Sequence, residues 1–146
     1  MSDDSLLRLD RQLCFALYSA SNAVTRAYRP WLDQLDLTYL QYLVMMVLWQ
    51  EEGISVTGLG SQLHLDSGTL TPLLKRLEAK GLIRRGRSEH DERVRVLLLT
   101  DEGRALYEQA ATIPAELRCR LSMIDEQLLS LKQACERIVD DLDAQL

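Results

Sequence analysis

The sequence predicts a mainly α-helical chain with one small β-hairpin, and three observations carry that expectation. Apolar residues recur at steps of three and four through most of the chain. One stretch alone, Arg93-Val94-Arg95-Val96, alternates polar and apolar with period two. Cap residues, glycines and prolines divide the helical pattern into segments of ordinary length. With 146 residues, 47% of them apolar and 27% charged, the chain can bury a real core and is not of disordered composition.

The first segment has apolar positions at Leu6, Leu9, Leu13, Leu17, Ala20, Val24, Tyr28 and Trp31, a long amphipathic helix that Pro30 should end or kink. The second opens at Thr38, with Gln41 three residues on as a capping box. It runs apolar on nearly all sides through Trp49, as a central buried helix does, and Gly53 closes it. Ser55 caps a short helix with Val56, Leu59 and Leu63 inward. Leu65 to Gly68 supply a tight turn and a new cap. A further helix follows, with Leu70, Leu73, Leu74 and Leu77 inward and Gly81 at its end. Pro72 removes one donor from it and should loosen its first turn without breaking it. Two short helices joined by a tight turn form a helix-turn-helix, and the basic hairpin of "LIRRGR" and "RVRVLLL" behind it reads as a wing. Thr100 caps the next helix, with Asp101 and Glu102 in its first turn. Pro114 interrupts, and Ser122 opens a last helix with a seam of Ile124, Leu128, Leu131, Cys135, Ile138 and Leu142 suited to packing another helix.

Charge separates the chain into two parts. The net charge is −5, yet residues 75–95 hold eight bases against four acids, leaving −9 for the rest. An acidic body with one basic patch is the footprint of a DNA reader. The apolar run "YLVMMVLW" is too short to span a bilayer, and the acidic N-terminus lacks a secretory pattern, so a cytoplasmic protein without membrane contact is expected. Three cysteines without a CxxC pair, beside only two histidines, make a zinc site improbable; no cofactor or metal is expected. His64 and His90 read as structural or solvated.

The segments "LDRQLCFALYSASNAVTRAYRP", "LTYLQYLVMMVLW", "LDSGTLTPLLKRLEAKGLI" and "DERVRVLLLT" resemble the MarR family of bacterial regulators, and within it the organic hydroperoxide resistance regulators (OhrR). The resemblance covers residues 6–145. It implies one MarR-type domain over 1–146, a winged helix-turn-helix over 37–100 and dimerisation helices over 1–36 and 101–146. The expected partners are double-stranded operator DNA, a second copy of the chain, and organic hydroperoxides as oxidising inducer.

The residues alone favour Cys14 as a packed thiol, with Arg11 and Tyr18 roughly on its helical face. The resemblance makes it the peroxide-sensing cysteine, its thiolate held by hydroxyls that map onto Tyr28 and Tyr39. Phe15 and its apolar neighbours would favour organic hydroperoxides over hydrogen peroxide. Cys135 falls on the helical seam and reads as core. Cys119 falls in the broken segment between Pro114 and Ser122, flanked by Arg118 and Arg120. The resemblance to a two-cysteine subclass makes it the resolving thiol of the partner subunit. For DNA, the outward residues of the second short helix are Ser67, Gly68, Thr69, Thr71, Lys75 and Arg76. The wing adds Arg84, Arg85, Arg87, Arg93 and Arg95, of which Arg85, Arg95 or both could turn to the sheet's other face. By resemblance Arg93 enters the minor groove and Asp91 orients it. Two other readings stay open. One is a MarR-type regulator released by a small aromatic ligand; the other is a thiol peroxidase, for which no further substrate-activating group is visible.

Overall fold

The computed structural model describes residues 6–143. They form helices α1 (Leu13–Leu35), α2 (Tyr39–Gln50), α3 (Val56–Leu63) and α4 (Ser67–Ala79), strands β1 (Ile83–Arg87) and β2 (Arg95–Leu99), then α5 (Asp101–Ala110), α6 (Ile113–Cys119) and α7 (Asp125–Asp143). The chain forms two compact units divided between Ile113 and Pro114.

The caps of the first unit are those the side chains dictate. Thr38 Oγ1 accepts from the Gln41 N–H at 3.2 Å, and Gln41 Oε1 accepts from the Thr38 N–H at 3.0 Å, a complete capping box. Ser55, Asp66 and Thr100 each accept from the backbone N–H three residues on, at 2.8–3.0 Å, and so start α3, α4 and α5. Around α2, whose Val44, Met45 and Leu48 are fully buried, close Leu32 and Leu35 of α1, Leu59 of α3 and the four inward leucines of α4. Ile83, Leu97 and Leu99 of the hairpin complete the core. The hairpin is antiparallel, pairing Ile83 with Leu99 and Arg87 with Arg95.

Several boundaries differ from expectation. Pro30 does not end α1, which continues to Leu35 and closes on Asp36 at φ 54°. Pro30 and Arg26, whose carbonyl loses its donor, are both exposed, so water can take that carbonyl, while Leu32 and Leu35 beyond are held in the core. Nor does α1 begin at Leu6. A short 3₁₀ turn spans Leu9–Arg11, and the Gln12 side chain donates to the carbonyls of Leu6 and Arg8, so Cys14 is the second residue of α1 rather than mid-helix. Helix α2 ends at Gln50, ahead of Gly53, whose φ of 93° turns the chain toward β2. Strand β2 begins at Arg95, because the Val94 N–H closes a turn on Asp91. Pro72 leaves α4 unbroken.

In the second unit Pro114 opens a helix rather than interrupting one. In the first turn of α6 its missing N–H is no loss. The irregular stretch lies at 120–124, and α7 starts at Asp125 rather than Ser122, with Gln127 Oε1 accepting from the Ile124 N–H. Along α7 no residue is buried: Leu131 and Leu142 are exposed, as is Ile124 just before it, and Leu128, Cys135 and Ile138 are half-covered. The expected apolar seam is therefore present but not packed into a core.

Candidate nucleic-acid interface and thiol centre

Burying Leu70, Leu73, Leu74 and Leu77 fixes the rotation of α4 and puts Ser67, Gly68, Thr69, Thr71, Lys75 and Arg76 on its exposed side. All six residues singled out from the sequence thus share one open face. The cap holds its start firmly: the Asp66 carboxyl is kept below the usual range by the Thr69 N–H it accepts. On the wing Arg84, Arg87, Arg93 and Arg95 are exposed, Arg93 at the tip almost completely so (side chain 96%). Asp91 Oδ1 accepts from the Arg93 N–H at 3.0 Å and lies 4.0 Å from its Nε, which places the acid beside the arginine.

Arg85 behaves differently. Its Nε donates to Glu78 Oε1 of α4 at 2.5 Å, and its Nη2 is buried without a partner in the chain. It is the wing arginine that turns to the sheet's other face, where it ties β1 to the recognition helix. Arg95 stays exposed.

Cys14 is exposed, in the turn of α1 whose backbone N–H groups have no helical partners. Phe15 and Tyr18 beside it are also exposed, with rings 6.5 Å apart. Tyr28 and Tyr39 are brought together, 5.2 Å between ring centroids, but not with Cys14. Cys14 and Tyr28 sit on the same helix, separated along its axis by roughly 21 Å at about 1.5 Å per residue. A third phenol missed in the sequence joins them. Tyr42, 2% exposed, lies 5.7 Å from Tyr28 and 6.4 Å from Tyr39. Its signal was the i, i+3 spacing from Tyr39 on α2. Burial, then the neighbouring phenols, push the Tyr28 hydroxyl up to about 12; burial raises Tyr39 and Tyr42 as well. All three stay protonated, able to donate.

Cys119 ends α6 and is exposed, not set in an irregular segment. Its neighbour Arg118 is engaged by Asp125 through Nε at 2.8 Å and Nη2 at 2.6 Å. Cys135 is half-covered. Among the described residues no group of three or more His, Cys, Asp or Glu could hold a metal ion, and no helix is long and apolar enough to cross a membrane. A cavity of about 610 Å³ lies against Tyr39, lined also by Thr25, Leu40, Pro72, Leu73 and Arg76.

Residues 26–110 match the transcriptional regulator SarA/Rot family. The organic hydroperoxide resistance transcriptional regulator of Bacillus subtilis is 46% identical, over 93% of this chain and 92% of its own. Reduced AbfR bound to DNA, a Staphylococcus epidermidis protein, superposes with TM-score 0.78 at 32% identity, covering 97% of this chain and 99% of that one. Disulfide-formed AbfR gives 0.66 at 34% identity, over 93% and 96%. The chain belongs to the MarR-type winged-helix transcriptional regulators, in the organic hydroperoxide resistance group.

Proposed function

We propose that this protein is a redox-controlled repressor: reduced, it binds a pseudo-palindromic operator as a homodimer; oxidised by an organic hydroperoxide, it lets go. The observation that carries the reading is an open reading face on α4 and the wing, joined through one core to the helix that bears an exposed thiol. The likeness to AbfR, which has been seen both reduced on DNA and with a disulfide formed, supports it.

Two α4 helices in successive major grooves stand about 34–36 Å apart. Ser67, Thr69 and Thr71 hydroxyls suit phosphates and base edges, while Lys75, Arg76, Arg84 and Arg87 suit the backbone and Arg93 the minor groove. The Cys14 thiolate attacks the peroxide O–O bond, giving Cys14 sulfenic acid and releasing the alcohol. The thiol of Cys119 from the other subunit then attacks that sulfur, expelling water and forming an intersubunit disulfide. A bond of about 2 Å draws the two segments together and turns the winged helices out of register. Because Cys14 cannot reach Tyr28 along its own helix, the phenols that hold its thiolate come from the second copy. The protein is spent after one oxidation per subunit, which separates it from a thiol peroxidase.

Gel shift with the DNA upstream of the coding region tests the reading. One equivalent of organic hydroperoxide per subunit abolishes the shifted band and a dithiol restores it, while a non-reducing gel shows a crosslinked dimer that Cys119→Ser lacks. A band that survives formation of that disulfide overturns it. A second reading, release by a small aromatic ligand, draws on the cavity beside Tyr39 and Arg76; it requires Cys14→Ser to respond normally to inducer.

A further inference from the structure

Lys80, the residue that ends α4, is where three helices are fastened. Its side chain is mostly covered, 28% exposed. Its Nζ donates to the backbone carbonyl of Asp36 and to Oε1 of Gln41 at 3.1 Å, and stands 3.6 Å from the Asp36 carboxylate. Asp36 is the left-handed residue that closes α1. Gln41, 2% exposed, is the reciprocal member of the capping box that opens α2, so the Oε1 that takes the Thr38 N–H also takes the Lys80 ammonium. One residue later Gly81, at φ 76°, sends the chain into the wing.

The position matters because of what each element carries. Helix α1 bears Cys14 and Tyr28, and α2 opens with Tyr39; both run to the atoms Lys80 grips. The DNA-reading helix ends at Lys80, and the wing starts just after it. An ammonium has three donors, and here they are directed at the α1–α2 junction from the end of α4. The link sits at the edge of the core rather than within it. The inward leucines of α4 are buried by the core, and the Asp36 carboxylate is 92% exposed.

We infer that Lys80 is the positioning residue that hands movement of the α1–α2 junction to the recognition helix and wing, coupling thiol oxidation to DNA release. The inference rests on the redox-repressor reading. A coupling of this kind is measured by the ratio of operator Kd in the oxidised and reduced states, not by either affinity alone.

The test compares that ratio in wild type, Lys80→Met, which keeps the stem and loses the donors, and Lys80→Gln, which keeps two N–H donors without the charge. Lys80→Met melts near wild type, its Cys14 reacts with hydroperoxide at the wild-type rate, and its ratio falls by about tenfold or more. The Lys80→Gln ratio falls about threefold, and this variant carries the test should the methionine variant not fold. A residue that only supports the helix would weaken both states equally. An unchanged ratio in either folded variant therefore overturns the inference. A wild-type ratio of one instead removes the redox reading, and that is seen before any variant is compared.

Discussion

The Tyr28 and Tyr39 rings lie 5.2 Å apart at an angle of 43°, half-buried, on the helix that carries Cys14 and the helix that follows it. Within one chain this pair and the thiol are too far apart to meet. If the phenols serve a thiolate, they serve that of a second copy. Losing a hydrogen bond to an ion costs about 1.5–3 kcal/mol. Tyr28→Phe or Tyr39→Phe should therefore slow Cys14 oxidation by about tenfold or more, followed as sulfenic acid formation under single-turnover conditions, with operator affinity of the reduced protein preserved.

The same burial predicts a response to alkali. The folded Tyr28 hydroxyl titrates near 12, against 10.0 for a free phenol. Between those values the unfolded chain loses a proton that the folded one keeps. Stability from this group is thus complete below pH 10 and disappears as pH rises toward 12. Ultraviolet titration of wild type and Tyr28→Phe checks this: the last phenol to ionise in the folded protein should be absent from the variant.

The wing arginines divide by partner. Arg93→Ala should weaken operator binding and reduce the salt slope by about one, since a solvent-facing arginine contributes through phosphate and groove contact. Arg85→Ala should leave the slope nearly unchanged and instead loosen the hairpin, because it frees Glu78 of α4 from its ion pair. Salt-dependent affinity together with amide exchange across 83–99 distinguishes the two.

Two glycines should respond in opposite senses. A Cβ on Gly103 would stand 2.1 Å from the Leu82 carbonyl, and the Gly103 carbonyl accepts the Trp49 indole N–H at 2.9 Å, so Gly103→Ala should cost about 3 kcal/mol. A Cβ on Gly68 meets only the Asp66 cap, at 3.5 Å. Gly68→Ala should raise stability by up to about 1 kcal/mol and yet weaken DNA binding, if the bare backbone there serves close approach to the duplex. Thermal melts and gel shifts read both.

The stretch from Thr38 to Thr100 was legible because local chemistry and burial agree there. Each cap lies three residues before the N–H it binds, and the α4 leucines that repeat in sequence are those that the core covers. The ends were harder. Leu6 and Leu9 continue a helical spacing, but only a Gln12 side chain folding back on two carbonyls reveals that α1 starts later. Pro30 and Pro114 both read as helix interruptions and neither is one; what decides is the exposure of the lost bond at the first and the first-turn position of the second. The apolar seam of α7 was visible, yet periodicity cannot say whether such a face meets its own core or another chain. Tyr42 was signalled by its i, i+3 spacing from Tyr39, but its contact with Tyr28 and the Arg85–Glu78 ion pair are tertiary and no sequence pattern fixes those partners.

The most direct measurement is operator binding by wild type and Cys14→Ser, each before and after one equivalent of organic hydroperoxide per subunit. The account predicts that both bind when reduced and that only wild type dissociates on oxidation. Dissociation of the serine variant by the same treatment would contradict it.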